Sequence, residues 1–136
     1  MPLAPPSTQQ ARSSNDPNHT ILVVEDEVLI RAPMAEYLRD CGYRVFEAAD
    51  TAEAKAMLNA DTPVDLVFTD VNMPGAENGL ILASWVREHF PDIKVILTSG
   101  VANITTNAGD PRMDGAVLRK PYRYEVVLQR IQTAIH

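Results

Sequence analysis

From Ile21 onward, short and wholly apolar runs alternate with stretches whose apolar residues recur every three or four positions. The first pattern suits a strand buried on both faces, and the second suits the inward stripe of a helix. Ile21-Leu22-Val23-Val24 is such a run and predicts a first strand. Ile30, Met34, Leu38 and Cys41 then step along a helix that Gly42 stops. Pro33 falls inside that stripe and has no N–H for the carbonyl of Leu29, so it is expected to delay the helix start or kink it. Tyr43 to Glu47 reads as a second, more amphipathic strand, Thr51 to Leu58 as a short helix, and Val64 to Thr69 as a third strand. Asn78 is placed to cap a helix running to His89, ahead of Pro91. Lys94 to Thr98 and Ala116 to Arg119 supply a fourth and a fifth strand. Tyr124, Val127, Leu128, Ile131 and Ile135 mark the buried face of a closing helix.

Strand–helix alternation of this kind predicts an α/β fold with a five-stranded parallel sheet, covered on both faces through right-handed crossovers. The expected arrangement is flavodoxin-like, (βα)5, with strand order 2-1-3-4-5. In that order ligands bind beyond the carboxyl ends of the strands, where the first and third are neighbours. Between the fourth and fifth strands, Val101 to Asp114 holds Asn103, Thr105, Thr106, Asn107, Gly109 and Pro111 without an apolar stripe. The fourth helix is therefore expected to be short, irregular or absent. Residues 1–19 carry four of the ten prolines among Ser, Thr, Gln and Asn. They are expected to form a flexible tail ahead of one domain spanning 20–136.

Charge and cysteine content narrow the setting. A formal net charge of −6 argues against a nucleic-acid partner, which would want a basic face. No apolar run reaches the roughly 18 residues of a membrane span. Cys41 is the single cysteine, so no intrachain disulfide can form, and the first twenty residues lack the apolar stretch of a signal peptide. The expected location is the cytoplasm.

The carboxyl ends of the predicted strands collect chemistry. Strand one runs into Glu25-Asp26, strand three into Asp70, strand four into Thr98-Ser99 and strand five into Arg119-Lys120. Taken singly, each has a plain reading as a helix cap, a turn residue or a solvated charge. Arriving together at one edge, three carboxylates repel one another and call for a cation. A hard divalent ion such as Mg2+ uses one or two carboxylates and completes its shell with phosphate oxygens. An aspartate can attack phosphorus, with a lysine and a hydroxyl to receive the charge on the transferred group.

Four blocks make the likeness specific: Ile21-Leu22-Val23-Val24-Glu25-Asp26-Glu27, Asp70-Val71-Asn72-Met73-Pro74-Gly75, Leu97-Thr98-Ser99-Gly100 and Lys120-Pro121. From about Thr20 to the C-terminus the chain resembles the receiver domains of two-component response regulators, in the order and spacing of those blocks. The resemblance implies Asp70 as phosphoacceptor and Mg2+ as cofactor. Asp26, Asp70 and the backbone carbonyl of Asn72 would be metal ligands, with Glu25 acting through water. It further implies Ser99, rather than the adjacent Thr98, as the switch hydroxyl, Lys120 on the phosphoryl group, and a cis bond before Pro121 that aims the ammonium inward. The partners implied are a histidine kinase or phosphotransfer protein upstream and a protein target downstream. A homodimer is compatible with the same reading. The chemistry implied is that of a phosphoacceptor with self-phosphorylation and self-dephosphorylation, not that of an enzyme with a separate substrate.

Four departures from the family pattern shape further expectations. Gly75-Ala76-Glu77-Asn78-Gly79 is one residue longer than the common form, so this loop should be remodelled. Val117 stands three before Lys120, where an aromatic ring is usual, which argues against a rotating-ring switch; Tyr122 and Tyr124 are expected to pack. The weak fourth helix is the third departure, and it points to a segment that phosphorylation orders rather than tilts. Fourth, Val101 stands two beyond Ser99 and Asn72 two beyond Asp70. In the family those places flank the path of the attacking water, so the resemblance implies slow self-dephosphorylation with the apolar Val101. Two other classes compete. A haloacid dehalogenase-type phosphatase also uses an aspartyl phosphate but wants a second acid where Asn72 stands. A degenerate receiver would act as a phosphorylation-independent scaffold, and a phosphate sink or shuttle is a third use of the same chemistry.

Overall fold

The structure is a computed structural model and describes residues 19–73, 78–100 and 117–135. In chain order the elements are β1 (Thr20–Val24), α1 (Val28–Asp40), β2 (Arg44–Ala48), α2 (Thr51–Asn59), β3 (Leu66–Asp70), α3 (Gly79–His89), β4 (Lys94–Ser99), β5 (Val117–Arg119) and α4 (Tyr124–Ile135). All four strand pairings are parallel, and the sheet order is β2-β1-β3-β4-β5. The flavodoxin-like arrangement expected from the alternation is the one observed. Residues 1–18 of the expected tail, Val101 to Asp114 with the expected weak helix, and Gly75 to Glu77 of the lengthened loop lie outside the described residues.

Period-two alternation along each strand divides the interior in two. Ile21, Val23, Leu66, Phe68 and Ile96 face one core with Met34 and Leu38 of α1 and Val127 and Ile131 of α4. Leu22, Val24, Val67, Val95 and Leu97 face the other, with Ala54 and Leu58 of α2 and Leu82, Ala83 and Val86 of α3. Both faces being covered is why the inner strands read as unbroken apolar runs. Cys41, Tyr122 and Tyr124 pack against the first core, and Trp85 and Val117 against the second.

The helix ends follow local chemistry. Asn78 Oδ1 accepts from the Ile81 N–H at 3.1 Å, which caps α3 as expected. Asp50 does the same for α2, accepting from the Glu53 N–H at 2.8 Å. Gly42, at φ 105°, closes α1: its N–H bonds the Arg39 carbonyl at 2.9 Å, and the Tyr43 N–H bonds the Leu38 carbonyl at 3.2 Å.

Pro33 does not delay α1, which starts five residues before it. The first turn closes ahead of the proline, since the Glu27 carbonyl accepts from both the Ile30 and Arg31 N–H groups. Pro33 and Leu29 lie on the solvent side, where water can serve the carbonyl that proline leaves without a donor. The third strand begins at Leu66 rather than Val64. Just before it the Asp65 N–H donates to the Thr20 carbonyl at 2.8 Å, its carbonyl accepts from the Lys94 N–H at 3.0 Å, and its side chain accepts from the Thr20 N–H at 2.7 Å.

Candidate functional site

Parallel registry brings the strand tips level. Val24 of β1 lies opposite Thr69 of β3, Asp70 opposite Thr98 of β4, and Ser99 opposite Arg119 of β5. Glu25 and Asp26 follow β1, and Lys120 follows β5, so all these residues collect at one edge of the sheet. One carboxylate oxygen from each of Glu25, Asp26 and Asp70 lies within 4.8 Å of the others. Glu25 and Asp70 are buried and Asp26 is exposed, which leaves the cluster open on one side. Lys120 Nζ donates to Asp70 Oδ2 at 3.1 Å and stands 4.0 Å from Glu25 Oε1. Its bond to Pro121 is cis.

Backbone groups complete the frame. The Asn72 N–H donates to Asp70 Oδ1 at 3.3 Å, and the Glu27 N–H donates to Glu25 Oε2 at 3.1 Å. Ser99 is buried at the end of β4, and its carbonyl accepts from the Lys120 N–H at 2.8 Å. Thr98, not Ser99, joins Glu25, Asp70 and Tyr122 around a cavity of about 10 Å³. That volume is far too small for an organic substrate, which needs hundreds of cubic ångströms. Val101 lies outside the described residues.

Burial and neighbouring acids disfavour negative charge at Glu25. Burial pushes the Glu25 carboxyl up to about 7; the Glu27 N–H opposes this, Asp26 and Asp70 add to it, and Lys120 pulls back. Tyr122 is pushed up to about 12, chiefly by burial and then by Glu25. Its ring meets Phe68 edge-on at 6.2 Å, while Tyr124 packs on Tyr37 at 4.9 Å. Three converging oxygen donors, one of them holding its proton near neutrality, form a set that suits a hard divalent cation.

Sequence reasoning missed three contributors. Arg31 reaches the carbonyl of Glu25, and Glu47 holds Arg31 in turn. Gly79 opens α3 directly against the end of β3, where a Cβ would collide with the Asp70 carbonyl oxygen. Its N–H bonds the Val71 carbonyl at 2.9 Å. Glycine at the first position of a capped helix was the visible signal for the last of these. For the arginine there was none, because Glu47 is brought to it only by the packing of α1 on β2.

Known proteins share both sequence and shape with this chain. The family model described as "Response regulator receiver domain" matches residues 21–132. The response regulator receiver protein CpdR of Brucella abortus is 31% identical over 113 residues, which cover 82% of this chain and 92% of that protein. The aerobic respiration control protein ArcA of Escherichia coli is 44% identical over 68 residues, half of this chain but only 28% of ArcA. The chain thus matches little more than a quarter of that longer relative. Among solved structures, a response regulator receiver protein from Sinorhizobium medicae superposes with a TM-score of 0.78 at 26% identity, covering 87% of this chain and 94% of that one. The response regulator protein TrrA from Thermotoga maritima, in complex with Mg(2+)-BeF, gives a TM-score of 0.72 at 28% identity and covers 85% of this chain and 98% of that one. With strand order, an acidic cluster facing a lysine, and a family match across most of its length, this chain belongs to the response regulator receiver domain family.

Proposed function

We propose that Asp70 accepts a phosphoryl group from the phosphohistidine of a kinase or phosphotransfer protein, and that the modified domain switches a protein–protein contact. The observation that carries this is the clustering of the Asp70 carboxylate with two further acids, together with the Lys120 ammonium 3.1 Å from Asp70 and 4.0 Å from Glu25. Asp26, Asp70 and the carbonyl of Asn72 would hold Mg2+, with Glu25 acting through water. When bound, the ion supplies charge neutralisation at the phosphoryl oxygens.

The residues of the chain do the rest. A carboxylate oxygen of Asp70 forms a bond to phosphorus as the phosphorus–nitrogen bond of the donor breaks, and the electron pair leaves on the imidazole nitrogen. Lys120, already paired with Asp70, follows the charge onto the transferred group, and the Ser99 hydroxyl donates to another of its oxygens. We assign Asn72 and the apolar Val101 to control of the water that later removes the group, with slow loss expected. Among the described residues no helix is long and apolar enough to cross a membrane, and we assign the domain to the cytoplasm.

Incubation with acetyl phosphate and Mg2+ followed by intact mass tests the reading. The wild type should gain one phosphoryl group, and Asp70→Asn should gain none. The adduct should outlast the first minutes after acetyl phosphate is removed. Equal labelling of the two proteins would reject Asp70 as acceptor.

A further inference from the structure

A peptide unit is planar, so whatever holds the carbonyl between Glu25 and Asp26 also sets how both acidic residues leave the chain. The preceding peptide is held by the sheet, where the Glu25 N–H donates to the Ala48 carbonyl of β2 at 3.0 Å. The carbonyl itself is held by Arg31, whose Nη1 donates to it at 2.8 Å. The same guanidinium donates through Nε to Glu47 Oε1 on β2 at 3.1 Å. Glu47 is steadied in turn by Arg39, whose Nη2 reaches Oε2 at 3.3 Å and the Val45 carbonyl at 2.8 Å. The Arg31 side chain is only 17% exposed, unlike an ordinary solvated surface pair.

We propose that Arg31, anchored by Glu47, is a positioning residue for cation binding: it holds the peptide between Glu25 and Asp26 so that both carboxylates face Asp70. This rests on the metal-dependent reading of the site above. A planar guanidinium suits the task because it donates in two fixed directions at once, to a carboxylate and to a carbonyl. A lysine ammonium lacks that fork. The competing role is a staple between α1 and β2, which would contribute stability and leave the affinity of the site for cations unchanged.

Titration of the whole chain with Mg2+ alone, by calorimetry, separates the two roles, alongside urea unfolding without metal. Loss of a group that orients metal ligands costs about tenfold or more in metal affinity, and Arg31→Ala should show that loss. Arg31→Lys should recover only part of it, while Glu47→Gln, which keeps an acceptor for Nε, should stay near the wild type. Should Arg31→Ala not fold, Glu47→Ala takes its place and should weaken Mg2+ binding in the same direction. A variant that is less stable yet binds Mg2+ within about twofold of the wild type would leave only the staple, against the tenfold expected of a positioning group. Wild type that takes up phosphoryl groups while Arg31→Ala keeps its Mg2+ affinity overturns this inference alone. Wild type that binds no Mg2+ overturns the reading of the site and this inference with it.

Discussion

At the scale of single residues, Glu25 shows what burial costs a carboxylate, with other acids adding to it. Ionising it in the folded chain is disfavoured, with its carboxyl pushed from 4.5 to about 7. A group raised in this way contributes stability that is fully present below its unfolded value and is lost as pH rises through the folded one. Glu25→Gln removes the charge at every pH. In EDTA, therefore, this variant should unfold near the wild-type urea midpoint at pH 5 and be more stable by roughly 2 kcal/mol at pH 8. An equal gap at both pH values would contradict the assignment. The acids, Ser99 and Lys120 were legible because each ends an apolar run, and the ends of parallel strands share an edge. Arg31 and Glu47 were not, since nothing in the local pattern links residues 16 apart on a helix and a neighbouring strand.

At the scale of elements, Pro33 is the point where pattern and outcome part. Met34, Leu38 and Cys41 of the apolar stripe pack on the core, but Ile30 is exposed, and the helix starts at Val28 because a first turn can close before a proline whose ring faces solvent. The missing bond is still a cost. Proline is about 3 kcal/mol worse than alanine inside a helix, while its effect on the unfolded chain returns up to about 1 kcal/mol. Pro33→Ala should raise the unfolding free energy by about 2 kcal/mol, measured by urea denaturation at constant slope. No change would mean that this turn of α1 is not helical in solution. The cap at Asn78 was legible because capping chemistry is local. The start of β3 was not, because the bonds at Asp65 run to Thr20 and Lys94, both distant in sequence.

At the scale of the whole molecule, the sheet keeps two interiors apart. Strand alternation showed this in advance, since apolar residues on both parities of one run demand cover on both faces. Val86 lies in one core and Ile131 in the other. Substitutions in separate clusters without shared partners usually add to within about 0.5 kcal/mol. Val86→Ala and Ile131→Val, compared singly and together by urea unfolding, should therefore show no larger coupling. A coupling beyond about 1 kcal/mol would show that the strands transmit packing changes across the sheet. The same layered build bears on how this lineage tolerates change. Because the start of α3 presses backbone to backbone on the end of β3, through Gly79 against Asp70 and Val71, the two ends of their connection are pinned together whatever lies between. Doubling the length of such a closed link costs only about 0.6 kcal/mol in chain entropy. Insertions there can accumulate, and graft new recognition onto the rim, without resetting the carboxylate they surround.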